Sequence, residues 1–152
     1  MNSMVADRRR GFTLIELLVV IGILAVLLAI TLIAINPARQ FSQANNTKRS
    51  SDVNAILNAV GQFAADNRGT LPAGITTATL NVSNTGADIC ASVVTQYIAA
   101  LPVDPLTNNG TPITNCGAAY DTNYTIVRSA ADNRITVTAP AAELGATISV
   151  TR

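Results

Sequence analysis

Few side chains in this sequence have chemistry at their disposal, and the most conspicuous is Glu16. It is a carboxylate inside the apolar run FTLIELLVVIGILAVLLAITLIAI, which follows Arg8, Arg9 and Arg10. A carboxylate at the centre of a bilayer costs about 2.5–3.5 kcal/mol on insertion scales, and less toward an interface. Two readings account for it. In the first the chain stays intact, and Glu16, about 9 Å along a helix from the arginines, reaches back to the headgroups. In the second the chain is cut after Gly11, and Phe12 becomes a new N-terminus. Its ammonium group then needs an anion in apolar surroundings, and Glu16 lies four residues on. That pair forms within one chain or between copies; between copies it sets the axial register of neighbouring helices.

The element that positions Glu16 is the apolar run itself. Residues 17–35 carry no charge and as a helix extend about 28 Å, close to the ~30 Å hydrocarbon thickness. A secretory signal has an apolar core of roughly 7–15 residues closed by an A-x-A-like site. This run is longer, and no such triplet closes it. The segment therefore reads as a retained membrane helix, with the three arginines holding the N-terminus in the cytoplasm. Arg39, Lys48 and Arg49 on the far side make the charge bias less lopsided.

The stretch RRRGFTLIELLVVIGILAVL, residues 8–27, strongly resembles the class III leader and helix start of type IV pilins and pseudopilins. In that family a prepilin peptidase cuts after a glycine and methylates the exposed residue. The resemblance implies that Gly11 precedes the cut, that Phe12 is the methylated N-terminus and that Glu16 serves assembly and register. It also implies four regions. Residues 1–11 are a leader that is removed, 12–36 a transmembrane and filament-core helix, 37–68 an amphipathic helix half, and 69–152 a globular head. The implied life history is a single-pass precursor in the cytoplasmic membrane with its head outside, then a homo-oligomeric extracellular helical filament. Prepilin peptidase and an assembly platform with its ATPase are the implied partners. Pro37 departs from the pattern, lying further along than the proline common in the family.

After Asn36-Pro37 the sequence turns amphipathic. Val53, Ile56, Leu57, Val60, Phe63 and Ala64 share one helical face, and Gly69 after ADNR is a stop signal. These signals predict one helix over about 12–67. The polar stretch ARQFSQANNTKRSS within it shows no stripe, which predicts a solvent-facing surface with Arg39, Lys48 and Arg49 free for headgroups or partner carboxylates. The loop-like GTLPAGITTATLNVSNTGADI holds one short strand near 78–82, and the spacing of Ile89, Val93, Val94, Tyr97 and Leu101 predicts a short helix over 89–100. Period-2 runs at 123–129, 134–139 and 146–151 predict about three antiparallel strands, the first two joined through AADN. The fold class expected is α+β: a long N-terminal helix, apolar then amphipathic, packed against a small antiparallel sheet head as in type IV pilins.

Cys90 and Cys116 lie on the same side of the apolar run. Outside the cytoplasm they would be paired, closing a loop of roughly 27 residues for about 3.5 kcal/mol in the chain-entropy model; the alternative is two buried free thiols. LPVDPLTNNG (101–110) resembles the proline-aspartate-proline loop of major pseudopilins of type II secretion, where calcium binds nearby. Asp104 and Asp121 are the candidate calcium ligands, but calcium wants six to eight oxygens and Pro-Val-Asp-Pro is also a simple rigid turn. No cofactor is otherwise implied. With no His in the chain and no nucleophile-base pair or phosphate loop, no enzymatic reading arises. A net charge of +1 provides no global attraction to nucleic acid; a DNA-binding surface would draw on Arg128, Arg134 and Arg152 with Tyr120 and Tyr124. The leading reading is a pilus subunit serving adhesion, motility or DNA uptake. The alternatives are a major pseudopilin of a type II secretion-like system and a membrane-anchored binding module.

Overall fold

The computed structural model describes residues 11–152. Arg8, Arg9, Arg10 and all of the expected leader except Gly11 lie outside the described residues. The chain divides into two compact units, one ending at Gln40 and the other running from Phe41 to Arg152.

In the first unit, helix α1 spans Leu14–Ile35, 22 residues with none buried. Among the described residues it is the one helix long and apolar enough to cross a membrane; at 1.5 Å per residue it measures about 33 Å. Its apolar residues go all round the helix rather than along a stripe, so no face is reserved for a protein core. The single helix expected over 12–67 is interrupted. Asn36 adopts the left-handed conformation at φ 47° and ends α1, and helix α2 begins at Pro37 and runs to Asp66. Both residue types dictate the break. A proline disfavours the α conformation in the residue before it, and asparagine tolerates positive φ better than most. The Asn36 carbonyl then accepts from the Arg39 and Gln40 amides at 3.1 and 3.4 Å, opening the new helix.

The second unit is an α+β head. A four-stranded antiparallel sheet has the order β1 (Leu80–Ser83), β2 (Asp121–Arg128), β3 (Ile135–Ala139), β4 (Ile148–Thr151). Three of these are the expected period-2 runs and the fourth is the strand foreseen near 78–82. Alternation puts Tyr124, Ile126, Val137 and Ala139 inward, where they meet Val53, Ile56, Leu57 and Val60 of α2 in one core. Phe63 and Ala64 complete the stripe at half-buried positions. On the outer face Thr136 pairs with Thr151 and Thr138 with Ser149 through hydroxyl hydrogen bonds of 2.8 and 3.0 Å. The apolar face of α2 and the inner face of the sheet thus bury one another, as neither could alone.

The helix expected over 89–100 shrinks to a single turn, α3, at Cys90–Val93. Thr95 at positive φ breaks it, and the chain turns back so that Val94 and Ile98 form an isolated bridge. The apolar spacing that suggested a helix instead reflects a tight loop whose apolar side chains enter the core: Ile89, Val93 and Leu101 are fully buried.

Candidate functional site

At the N-terminal end of α1 the geometry is local and closed. Thr13 is the N-cap, and its hydroxyl oxygen accepts from the Glu16 amide at 3.2 Å. The Glu16 carboxylate reaches back and accepts from both the Thr13 amide and the Thr13 hydroxyl at 2.8 Å. This is a capping box, satisfying two of the donors that a helix start leaves open. Phe12 and Gly11 precede it and are exposed. The carboxylate is therefore already held one residue from Phe12, the residue whose amine would be created by a cut after Gly11. The signal for this box, Thr followed three residues later by Glu just before an apolar run, stands in the sequence as Thr13-Leu14-Ile15-Glu16.

Residues 7–32 match the prokaryotic N-terminal methylation motif. That is the class III signal-peptide motif of type IV pilins, so the chain has the features of a prepilin peptidase substrate. With α1 it fits a membrane-anchored precursor. The matched residues include Gly11 and Phe12, the expected cleavage and methylation positions, and Glu16, and the match ends inside α1. Comparison with curated proteins and with solved structures returns no match.

In the polar half of α2 the expectation of a free basic surface fails at Lys48 and Arg49, while Arg39 is exposed as expected. Ser42, Asn45, Asn46 and Arg49 fall at i, i+3, i+4 and i+7, on the face that continues into Val53 and Ile56. Arg49 is fully buried. Its Nε donates to Asp104 Oδ2 at 2.6 Å and its Nη2 to Asp104 Oδ1 at 3.2 Å, a two-pronged grip. Its Nη1 donates to Glu143 Oε2 at 2.7 Å and to Asn46 Oδ1 at 3.1 Å. Asn46 reads the Glu143 backbone in both directions, accepting from its amide and donating to its carbonyl at 2.9 and 2.8 Å. Ser42 and Asn45 donate to the same carboxylate at 2.9 and 3.0 Å. One helix face therefore clasps the Asp104 loop and the Glu143 loop together. The Asp104 hydrogen bond holds the Arg49 guanidinium still more firmly protonated than usual. Arg49, then Asn45 and Ser42, hold the Glu143 carboxyl below the ordinary range.

Lys48 is likewise engaged, donating to Asp52 Oδ2 at 2.7 Å. The buried Tyr124 hydroxyl donates to that same oxygen at 2.8 Å. Burial first, and then the Asp52 carboxylate, push the Tyr124 phenol well above its usual range. Sequence reasoning missed this polar stripe because a stripe of polar residues looks like a solvated face until the acids that fill it arrive from distant loops.

The calcium candidates do not fit an ion. Both Asp104 oxygens are bound to Arg49, and Oδ1 also accepts from the Leu106 amide at 3.0 Å. Asp121 is exposed, and its Oδ1 accepts from the Asn123 amide at 2.8 Å. A cation at Asp104 would have to displace a buried guanidinium. Among the described residues no group of three or more acidic, histidine or cysteine side chains is gathered for a metal. The expected DNA surface also loses its aromatic component: Tyr124 is fully buried and Tyr120 nearly so. The Tyr120 hydroxyl is turned to Asp88 at 2.7 Å, and burial followed by that carboxylate raises its pKa.

Cys90 and Cys116 are bonded, with Cα atoms 5.4 Å apart. The bridge ties α3 to the segment leading into β2. The Cys90 amide also donates to the Tyr120 hydroxyl at 3.4 Å.

Proposed function

We propose that this chain is a structural subunit of a type IV pilus-like filament, released from its leader by cleavage after Gly11 and polymerised through α1. The observation that carries the reading is the methylation motif lying on an apolar helix with none of its residues buried. About 33 Å of apolar helix needs a nonaqueous partner, which is lipid in the precursor and other copies of α1 in a filament. Burial between helices supplies the driving force, and the new Phe12 amine, paired with Glu16 of a neighbour, supplies register. In this reading the capping box holds the carboxylate beside the place where that amine appears. The chain acts without catalysis and without a cofactor, its partners being prepilin peptidase, the assembly platform with its ATPase, and further copies of itself. Surface adhesion, motility or DNA uptake are the roles such a filament would serve.

A pseudopilin of a type II secretion-like system is the second reading, favoured by the Pro-Val-Asp-Pro turn at 102–105. It is weakened by the grip of the buried Arg49 guanidinium on both Asp104 oxygens. The deciding experiment is the intact mass of the protein from the native membrane and from the sheared surface fraction. A mass lacking residues 1–11 and carrying one extra methyl group, present in the sheared fraction, supports the filament subunit. An uncut leader, with no protein in the sheared fraction, would leave a membrane-anchored binding module instead.

A further inference from the structure

The two edges of the sheet are finished differently. At the β1 edge the register shifts between Asn81 and Ser83, a bulge, and the loop that follows folds over it. The Ala87 amide donates to the Asn81 carbonyl at 2.8 Å, and Gly86 lies so close to that carbonyl that no Cβ fits there. Bulges and covering loops are ordinary ways of closing an edge to other chains, as are prolines and charges. The β4 edge has none of these. Ile148–Thr151 pair with β3 in continuous register, carry no charge and no proline, and have no strand beyond them among the described residues.

The register decides which backbone groups are left over. Ile135 and Arg152 exchange both of their amide–carbonyl bonds, at 2.7 and 2.9 Å. Hydrogen-bonded and non-hydrogen-bonded pairs alternate along an antiparallel ladder. Val150 opposite Val137 and Ile148 opposite Ala139 therefore bond to β3, whereas Ser149 and Thr151 direct their N–H and C=O groups away from it. Among the described residues no other backbone group takes them up, and both residues are exposed. Val150, between them, packs against the core but is only half-buried.

We infer that this edge pairs with the β4 edge of a second copy, antiparallel about a two-fold axis at Val150. That register sets Ser149 opposite Thr151 of the second copy and Thr151 opposite its Ser149, and each such pair exchanges both bonds, so every outward group of the two residues is satisfied. The side chains match as well. Val150 meets its own mate on the inner face, a β-branched cross-strand pair. On the outer face the hydroxyl pairs Thr138–Ser149 and Thr136–Thr151, at 3.0 and 2.8 Å, continue across the junction as Ser149 against Thr151. The contact is isologous and closed, lies wholly in the head, and stands whether or not α1 polymerises. It is also small, so trapping reads it better than a stable dimer does.

The test is Val150→Cys in the full chain, oxidised with copper–phenanthroline in the native membrane fraction. Cys90 and Cys116 are bonded to each other, so the new thiol is the one free to react. In the proposed register the two mates stand with Cα atoms about 4.5 Å apart, within disulfide reach. Thr138→Cys, one strand inward and about 14 Å from its mate by three strand spacings, is the control for association driven by α1. A disulfide-linked product of twice the chain mass is expected from Val150→Cys and not from Thr138→Cys. Adding Thr151→Pro removes an outward N–H on each copy without touching a bond to β3, and should lower the linked fraction at least about tenfold. Adding Ser149→Lys with Thr151→Lys sets like charges opposite one another, whereas Ser149→Lys with Thr151→Glu sets opposite charges there. The second combination should link at least about threefold better than the first, which keeps the test decisive if Thr151→Pro does not fold. Ser149→Cys with Thr151→Cys reports the same contact from exposed positions if Val150→Cys does not. A dimer no more abundant than that of Thr138→Cys would overturn the proposal, as would linking indifferent to the proline and to the sign of the charges. A product joined to a different protein would assign the edge to that protein, and the self-pairing would fall.

Discussion

Arg49→Met removes a buried cation and little volume, and its consequence is calculable from the clasp. Asp104 is almost fully buried, its side chain 1% exposed. Without Arg49 it loses both charge-assisted bonds and keeps only the Leu106 amide at 3.0 Å. Glu143 fares better, because Ser42 and Asn45 still donate to it and its side chain is 28% exposed. Breaking a buried pair by removing one partner costs about 3–5 kcal/mol, since the other charge stays buried and uncompensated. Nearly all of that should come from Asp104. With a urea slope of about 1.5 kcal/mol/M, the unfolding midpoint falls by roughly 2–3 M. The assay is urea denaturation of the full chain in detergent micelles, followed by near-ultraviolet dichroism of the tyrosines, since the chain contains no Trp. The double variant Arg49→Met, Asp104→Leu tests the cause. Replacing both charges with apolar groups is often nearly neutral, so it should regain most of the loss. A single variant within about 1 kcal/mol of the parent, or a double variant no better than the single, would refute the argument that uncompensated Asp104 dominates.

Glu16→Ala should leave membrane insertion intact and abolish or sharply reduce filament yield in the sheared fraction; normal filaments would remove the carboxylate's role in register. Gly11→Val should block leader removal, seen as retention of residues 1–11 in the intact mass, with Gly11→Ala the milder of the two. Opening the Cys90–Cys116 bridge by changing both residues to Ala should cost about 3.5 kcal/mol for a loop of this length, read as a fall in the same urea midpoint. The Glu143 carboxyl is held below its ordinary value by Arg49, Asn45 and Ser42. Its contribution is therefore full above the unfolded pKa of about 4.5 and is lost as pH falls through the lower folded value. The midpoint should drop on acidification below about pH 5, and Glu143→Gln should flatten part of that drop. Tyr120 and Tyr124 are raised instead. Their contribution is full below the unfolded pKa of about 10 and fades as pH rises beyond it, so two of the three tyrosines should resist alkaline ionisation until the head unfolds.

The first thirty-odd residues were legible because their physics is local. A run with no charge between residues 17 and 35 has few destinations, and the methylation motif matched over residues 7–32 is one contiguous stretch of sequence. The apolar stripe from Val53 to Phe63 and the strand runs were legible for a similar reason: periodicity of 3.6 or 2 is a property of the segment itself. The interruption at Asn36 was also encoded locally, in the Asn-Pro pair, although the apolar-to-amphipathic continuity suggested one unbroken helix.

Tertiary structure decided the rest. Arg49 looks like a surface cation until Asp104, 55 residues away, and Glu143, 94 residues away, close on it. The Asp104 that resembled a metal ligand is for the same reason an arginine's partner. The segment after Cys90 has helical spacing but folds as one turn and a reversal, because the disulfide, Thr95 at positive φ and the core's demand for Ile89, Val93 and Leu101 outweigh a weak local preference. Arg128 shows the limit most plainly. Nothing in its neighbourhood in the chain distinguishes it from Arg134. Only the meeting of the post-α2 loop with the end of β2 leaves its Nε shielded and without an acceptor among the described residues.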